Sequence, residues 1–226
     1  MLSRYLSRIA LLFAITATAV SCTGRRTGVT PGAEAPTSRV PFAAAEPESF
    51  QAKIIVTAGD LRRESFIARS GEKRRSEWDV GSRSSIVQLV SGRTNLLLPE
   101  KAVFAEIADG TGDPRWRSDA VVLGWLNARG DSTFEKLDEV DGTTRYRVRF
   151  SEGAAAEALI WIDPASGFPL RQEFYGIENG ERILTMTIEV DAFRIPADDS
   201  LFEIPANYRK VSESELRAMH RENRND

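Results

Sequence analysis

Between residues 143 and 190, apolar and polar side chains alternate with a period of two. Tyr146, Val148 and Phe150 share one parity, and Arg145, Arg147 and Arg149 share the other; further on, Met186, Ile188 and Val190 alternate with Thr185, Thr187 and Glu189. Successive side chains of a strand point to opposite faces, so these runs predict strands that bury one face and wet the other. Between them lies 158–162 (ALIWI), apolar throughout and so expected to be buried on both faces, followed by Leu170 and Phe174 set against Arg171, Glu173 and Tyr175. Turn-forming residues at Glu152-Gly153, 163–167 and Glu178-Asn179-Gly180 join these runs into an antiparallel meander.

The same reading predicts six earlier strands, at 50–58, 64–69, 75–80, 86–90, 95–98 and 103–107, joined by short turns and laid down in sequence order. The period then changes. Asp113 suits a helix N-cap, Pro114 the first helical position and Gly130 the residue past the end, so a helix is expected over 114–129. Its middle, 120–126 (AVVLGWL), is apolar nearly all round, which suits a helix laid over the concave face of the sheet. A further strand is expected at 133–140. Ser212 and Glu215 have capping-box spacing and start a terminal helix at 212–224. Leu216 and Met219 are its only large apolar residues, so it is expected to lie on the surface or fray. The predicted fold is mainly β: one domain over 49–211, then a polar tail over 212–226.

Composition narrows this without changing it. The chain has 226 residues, of which 42% are hydrophobic and 28% charged, with both signs interspersed, which suggests a globular domain and no nucleic-acid partner. Its one cysteine, Cys22, excludes an intrachain disulfide and a multi-thiolate metal site. Arg4 and Arg8 flank the start of an apolar run over 9–20. That run is shorter than the roughly 17 residues needed to span a bilayer, so 1–21 reads as a signal peptide. Ala19-Val20-Ser21-Cys22 resembles the lipobox of bacterial lipoproteins. The resemblance implies that Cys22 carries fatty-acyl chains of the palmitate kind and becomes the N-terminus, a membrane anchor without a transmembrane helix. Thr23 after the cysteine, rather than Asp, implies the periplasmic face of the outer membrane. Without residues 1–21, Lys+Arg falls from 30 to 28 against 33 Asp+Glu, a mature charge of about −5. Residues 22–48 are rich in Gly, Pro, Ala, Ser and Thr and are expected to form a flexible tether.

Two motifs carry a second resemblance. D-x-x-[ST]-G-x-P-x at 163–170 starts one strand, and D-x-x-F-x-x-P at 199–205 follows another; with GEKRRSEWDV and IVQLVSGRTNLLLPEKAVFAEI before them, they stand in the order found in the LolA/LolB-like superfamily of envelope lipoprotein carriers, which includes RseB-type sensors. The resemblance implies a half-open antiparallel β-barrel of about eleven strands with a covering α-helix, its apolar cavity receiving a lipid or lipoprotein acyl chain. Candidate cavity residues are Tyr146, Val148, Phe150, Leu170, Phe174, Met186 and Ile188 from the strands, with Trp116, Leu123 and Trp125 from the helix. The same residues serve equally as ordinary core, which leaves a sensor or protein-interaction module of the same fold as the second reading.

Catalytic chemistry finds little support. The one histidine, His220, is in the tail; Asp109, Asp113, Asp198 and Asp199 read as turn and cap residues; Glu135, Asp138, Glu139 and Asp141 read as wet strand surface. The expectation is therefore a non-enzymatic protein without cofactor or metal. Its expected partners are the membrane, an acyl chain and an envelope protein. Arg145, Arg147 and Arg149, with Arg62, Arg63 and 73–75, are weighed as a positive strip for anionic headgroups.

Overall fold

The alternating runs become strands. In the computed structural model, which describes residues 35–43, 45–108, 122–124, 131–151 and 156–225, these are β1 (Ser49–Ala58), β2 (Leu61–Ser70), β3 (Lys73–Trp78), β4 (Ile86–Ser91), β5 (Arg93–Leu98), β6 (Val103–Ile107), β7 (Ser132–Val140), β8 (Thr143–Phe150), β9 (Glu157–Ile162), β10 (Pro169–Glu178), β11 (Glu181–Arg194) and β12 (Arg209–Lys210), followed by the helix α1 (Glu213–Asn225). The expected helix over 114–129 lies outside the described residues except for 122–124, and so do the segment read as a signal peptide and Cys22.

All twelve strands form one open sheet in the order β12-β6-β5-β4-β3-β2-β1-β11-β10-β9-β8-β7. Two meanders, β1 to β6 and β7 to β11, meet where β1 pairs antiparallel with β11, Val56 opposite Ile188. The first six strands lie in sequence order as expected, and the first and last long strands pair at the centre. The twelfth strand is two residues long and runs parallel to β6 at one edge; β7 forms the other edge. Type I′-compatible turns close the tight hairpins: Asp141-Gly142 has φ of 50° and 76°, and Asn179-Gly180 has 52° and 85°.

The sheet has two faces of different character. On the core face, one row runs Phe134, Val148, Ala158, Phe174, Met186 across β7 to β11, and the next runs Tyr146, Ile160, Gln172, Ile188, Val56. The apolar residues of these rows and Phe50, Ala52 and Ile54 form one cluster. A second cluster continues the same face over β4 to β6, where α1 covers it. Here the expectation for the tail is overturned. Leu216 is fully buried and Met219 packs beside it, because both apolar residues of the helix fall on the one side that faces the sheet. The capping box forms as predicted, Glu215 N–H donating to Ser212 Oγ at 3.3 Å and Ser212 N–H to Glu215 Oε2 at 3.2 Å. His220 Nε2 donates to the Ser84 carbonyl and Asn223 Nδ2 to the Arg83 carbonyl, both at 3.0 Å, which pins the helix to the β3–β4 loop.

On the opposite face, Val87, Leu89, Leu97 and Ala68 are covered by Phe202 and Ala197. Asp198 caps the turn that carries Phe202, accepting from Ser200 N–H at 2.9 Å. Further along, β8 to β11 present charge. Arg147 and Arg149 pair with Glu135, Arg145 with Asp138, and Arg171 with Glu173 and Glu189. The Arg145, Arg147 and Arg149 part of the expected positive strip is thus neutralised, since each of these arginines faces a carboxylate on β7, while Arg62 and Arg75 pair with Glu64 and Glu77 of their own strands. The stretch 158–162 alternates after all: Trp161 lies on the charged face, flanked by the Arg145 and Arg171 guanidiniums at 5.9 and 5.4 Å from its ring.

Candidate functional site

The core face of β7 to β11 is the concentration of sequence-predicted residues, and its cover is made of separate pieces of chain. At one end sits an aromatic plug. Asp163 accepts from Ser166 Oγ at 2.5 Å and from the Ser166 N–H at 3.0 Å, which fixes the turn after β9 and sets Phe168 against the sheet. The Ser166 hydroxyl, helped by the backbone N–H groups of Ser166 and Ala165, holds the Asp163 carboxyl below its ordinary value. In β11 an extra residue, Ala192 at φ 51°, interrupts the pairing between Gln51–Arg194 and Lys53–Asp191, and Phe193 packs into the core cluster. Phe168 and Phe193 stack at 4.7 Å with a 2° interplanar angle, and Phe50 lies 5.7 and 6.2 Å from them.

The centre holds one polar group. Gln172 is fully buried and donates from Nε2 to the Val122 carbonyl at 3.0 Å, tying the 122–123 backbone over β10. Val122 and Leu123 are themselves buried in the cluster. Unpaired, a buried amide would cost about 1–3 kcal/mol.

Toward the β7 edge, the segment read as the end of the tether crosses the face. Thr37 and Phe134 exchange backbone hydrogen bonds of 2.9 and 2.7 Å, and the Ala43 N–H donates to the Gly167 carbonyl at 3.1 Å. Phe42 lies 5.8 Å from both the Phe134 and Tyr146 rings. Residues 37–43 therefore contact the domain, whereas the sequence reading left them free: Val40 and Phe42 are apolar and find the core face.

At the far end the face is less covered. Phe150 and Met186 are half-buried there, and the β10–β11 hairpin runs past its neighbours, since β9 pairing stops at Tyr175 and β1 pairing at Thr187. On and beside this projection Ile177 is 61% exposed, Leu184 49% and Ile183 39%, with Leu61 of the adjacent β1–β2 hairpin at 53%.

Of the sequence-predicted lining, Val148, Phe174, Ile188 and Leu123 are buried in the cluster and Tyr146, Phe150 and Met186 pack against it. Leu170 does not join them. A register shift between Pro169 and Arg171 leaves it unpaired, and it lines a groove of about 240 Å³ with Trp161, Arg171 and Val140. Trp116 and Trp125 lie outside the described residues. Sequence reasoning missed Phe42, Phe134, Phe168, Phe193 and Gln172. The one available signal was Val40-Pro41-Phe42, two large apolar residues in an otherwise small and polar stretch.

Among the described residues, Gln172 is the one buried polar side chain of this face, and such a wall suits non-covalent enclosure of an apolar chain. No protein-family model matches this chain, and no curated protein sequence does. Similar solved structures include MucB of Pseudomonas aeruginosa in its complex with MucA, at 16% identity over 72% of this chain with a TM-score of 0.44; this chain spans 58% of that one. An uncharacterised conserved protein of Thermus thermophilus is 14% identical over 74% of this chain and 91% of its own, TM-score 0.44. A putative outer membrane lipoprotein-sorting protein domain of Vibrio parahaemolyticus is 12% identical over 74% and 94%, TM-score 0.30.

Proposed function

We propose that this is a non-catalytic bacterial envelope protein, held at the membrane by acyl chains on Cys22, that receives a lipid or lipoprotein acyl chain on the core face of β7 to β11. The observation that carries this reading is the graded cover of that face. It is plugged by aromatics at one end, and at the other it passes through half-buried Phe150 and Met186 to exposed Ile183 on the projecting hairpin. Burying about 15 methylenes gains about 12 kcal/mol gross at about 0.8 kcal/mol per methylene, and a bilayer offers nearly the same. A carrier therefore needs an apolar wall without a strong polar grip, and the row across β7 to β11 with its neighbour across β8 to β11 meets that requirement, the second row ending at exposed Lys136 on β7.

A second reading is an interaction module with a filled core. It is favoured by the complete burial of Val148, Ala158, Ile160 and Phe168, and the MucB structure, solved with MucA, is of a protein that binds a protein.

Titration with a fluorescent fatty acid separates the two. The carrier reading expects saturable binding, weakened about tenfold or more in Met186→Glu, because a carboxylate at the open end would have to be desolvated with the chain. Binding that ignores the substitution, or no binding by the parent protein, contradicts it.

A further inference from the structure

The segment 37–43 lies on the same residues that the acyl site uses. Phe42 meets the rings of Phe134 and Tyr146, and Val40 packs against the same cluster. Among the described residues its hold is slight: two backbone bonds at Thr37, one at Ala43, and two half-buried apolar side chains between them, with Thr37, Ser38, Arg39 and Pro41 exposed. A strip of chain with so few bonds opens at far lower cost than the sheet beneath it.

We infer that segment 37–43 is a displaceable strap: in the ligand-free protein Val40 and Phe42 occupy part of the acyl site, and an incoming acyl chain replaces them. The inference rests on the acyl-binding reading given above. An apolar ligand and an apolar side chain competing for one wall make binding and strap release a single exchange, so the site is never left bare to water.

Gly167 offers a direct lock. A Cβ built there falls 3.4 Å from the Ala43 Cβ, close to the separation a disulfide requires. The test uses the full chain with Cys22→Ser, Ala43→Cys and Gly167→Cys, and compares fluorescent fatty acid affinity before and after reduction. Oxidised protein is expected to bind about tenfold or more weakly than the same protein reduced, and Phe42→Ala in the Cys22→Ser background is expected to bind several-fold more tightly than its parent. Equal affinity in the oxidised and reduced states overturns the strap, whatever Phe42→Ala does. Comparing one chain in two redox states removes any effect of the substitutions on folding. If the Cys22→Ser chain itself binds no fatty acid, the acyl site falls and the strap with it; if it binds and the lock has no effect, the strap alone falls.

Discussion

Phe168→Ala is expected to lower the unfolding free energy by about 3–5 kcal/mol. The ring is fully buried, stacked on Phe193 and tilted against Phe50, and aromatic pairing adds about 0.5–1.5 kcal/mol beyond the area buried. The site cannot collapse around the vacancy. On one side the Asp163 turn holds the backbone, the Asp163 N–H donating to the Phe168 carbonyl at 2.9 Å; on the other, Pro169 pairs with Ile162. Urea titration checks this. At a slope of about 2–3 kcal/mol/M the midpoint falls by about 1–2 M with the slope unchanged. A fall of less than about 0.5 kcal/mol, typical of surface substitutions, would mean that the aromatic plug is not packed as described.

Leu216→Ala is expected to cost about 2–5 kcal/mol. Leu216 is the fully buried contact of α1 against β4 to β6, seated with Ile86, Leu96, Leu98 and Val211. The sequence reading of a frayed tail gives a different value for the same experiment, within about ±0.5 kcal/mol. Urea midpoints with helical circular dichroism decide between them. Loss of the helical signal together with the sheet signal, at a lower midpoint, supports docking; an unchanged midpoint contradicts it.

The two readings of Leu216 show where sequence legibility stops. Strands with one wet face were readable because their period of two is local, and β8, β10 and β11 fell where the alternation placed them. The β1–β11 pairing was not readable, since nothing in either strand's pattern names its neighbour. The two residues of β12 carry no period at all. The docking of α1 was underestimated because two apolar residues make a weak pattern, yet one helical side bearing both is enough to cover a three-strand patch. At Leu170 the parity argument failed for a specific reason, as a single unpaired residue removes it from the alternating rows. Trp161 was read as buried on composition, although an indole between two guanidiniums is at home on a charged face. Most of the strand-borne candidate lining was legible, as was Leu123 of the expected cover, and the aromatic part of the cover was not. Phe42, Phe168 and Phe193 reach the face by way of a tether, a turn and an extra residue, none of which has a period to read.

The measurement to make is the mass of the chain, released from bacterial membranes in mild detergent, under native and then denaturing conditions. The acyl groups proposed on Cys22 would persist in both spectra, whereas a lipid held on the core face would add mass only in the native one. The acyl-binding account predicts a native species heavier than the denatured chain by one lipid, and loss of that species in Met186→Glu. Identical native and denatured masses for the parent protein would contradict it and leave the filled-core interaction module in its place.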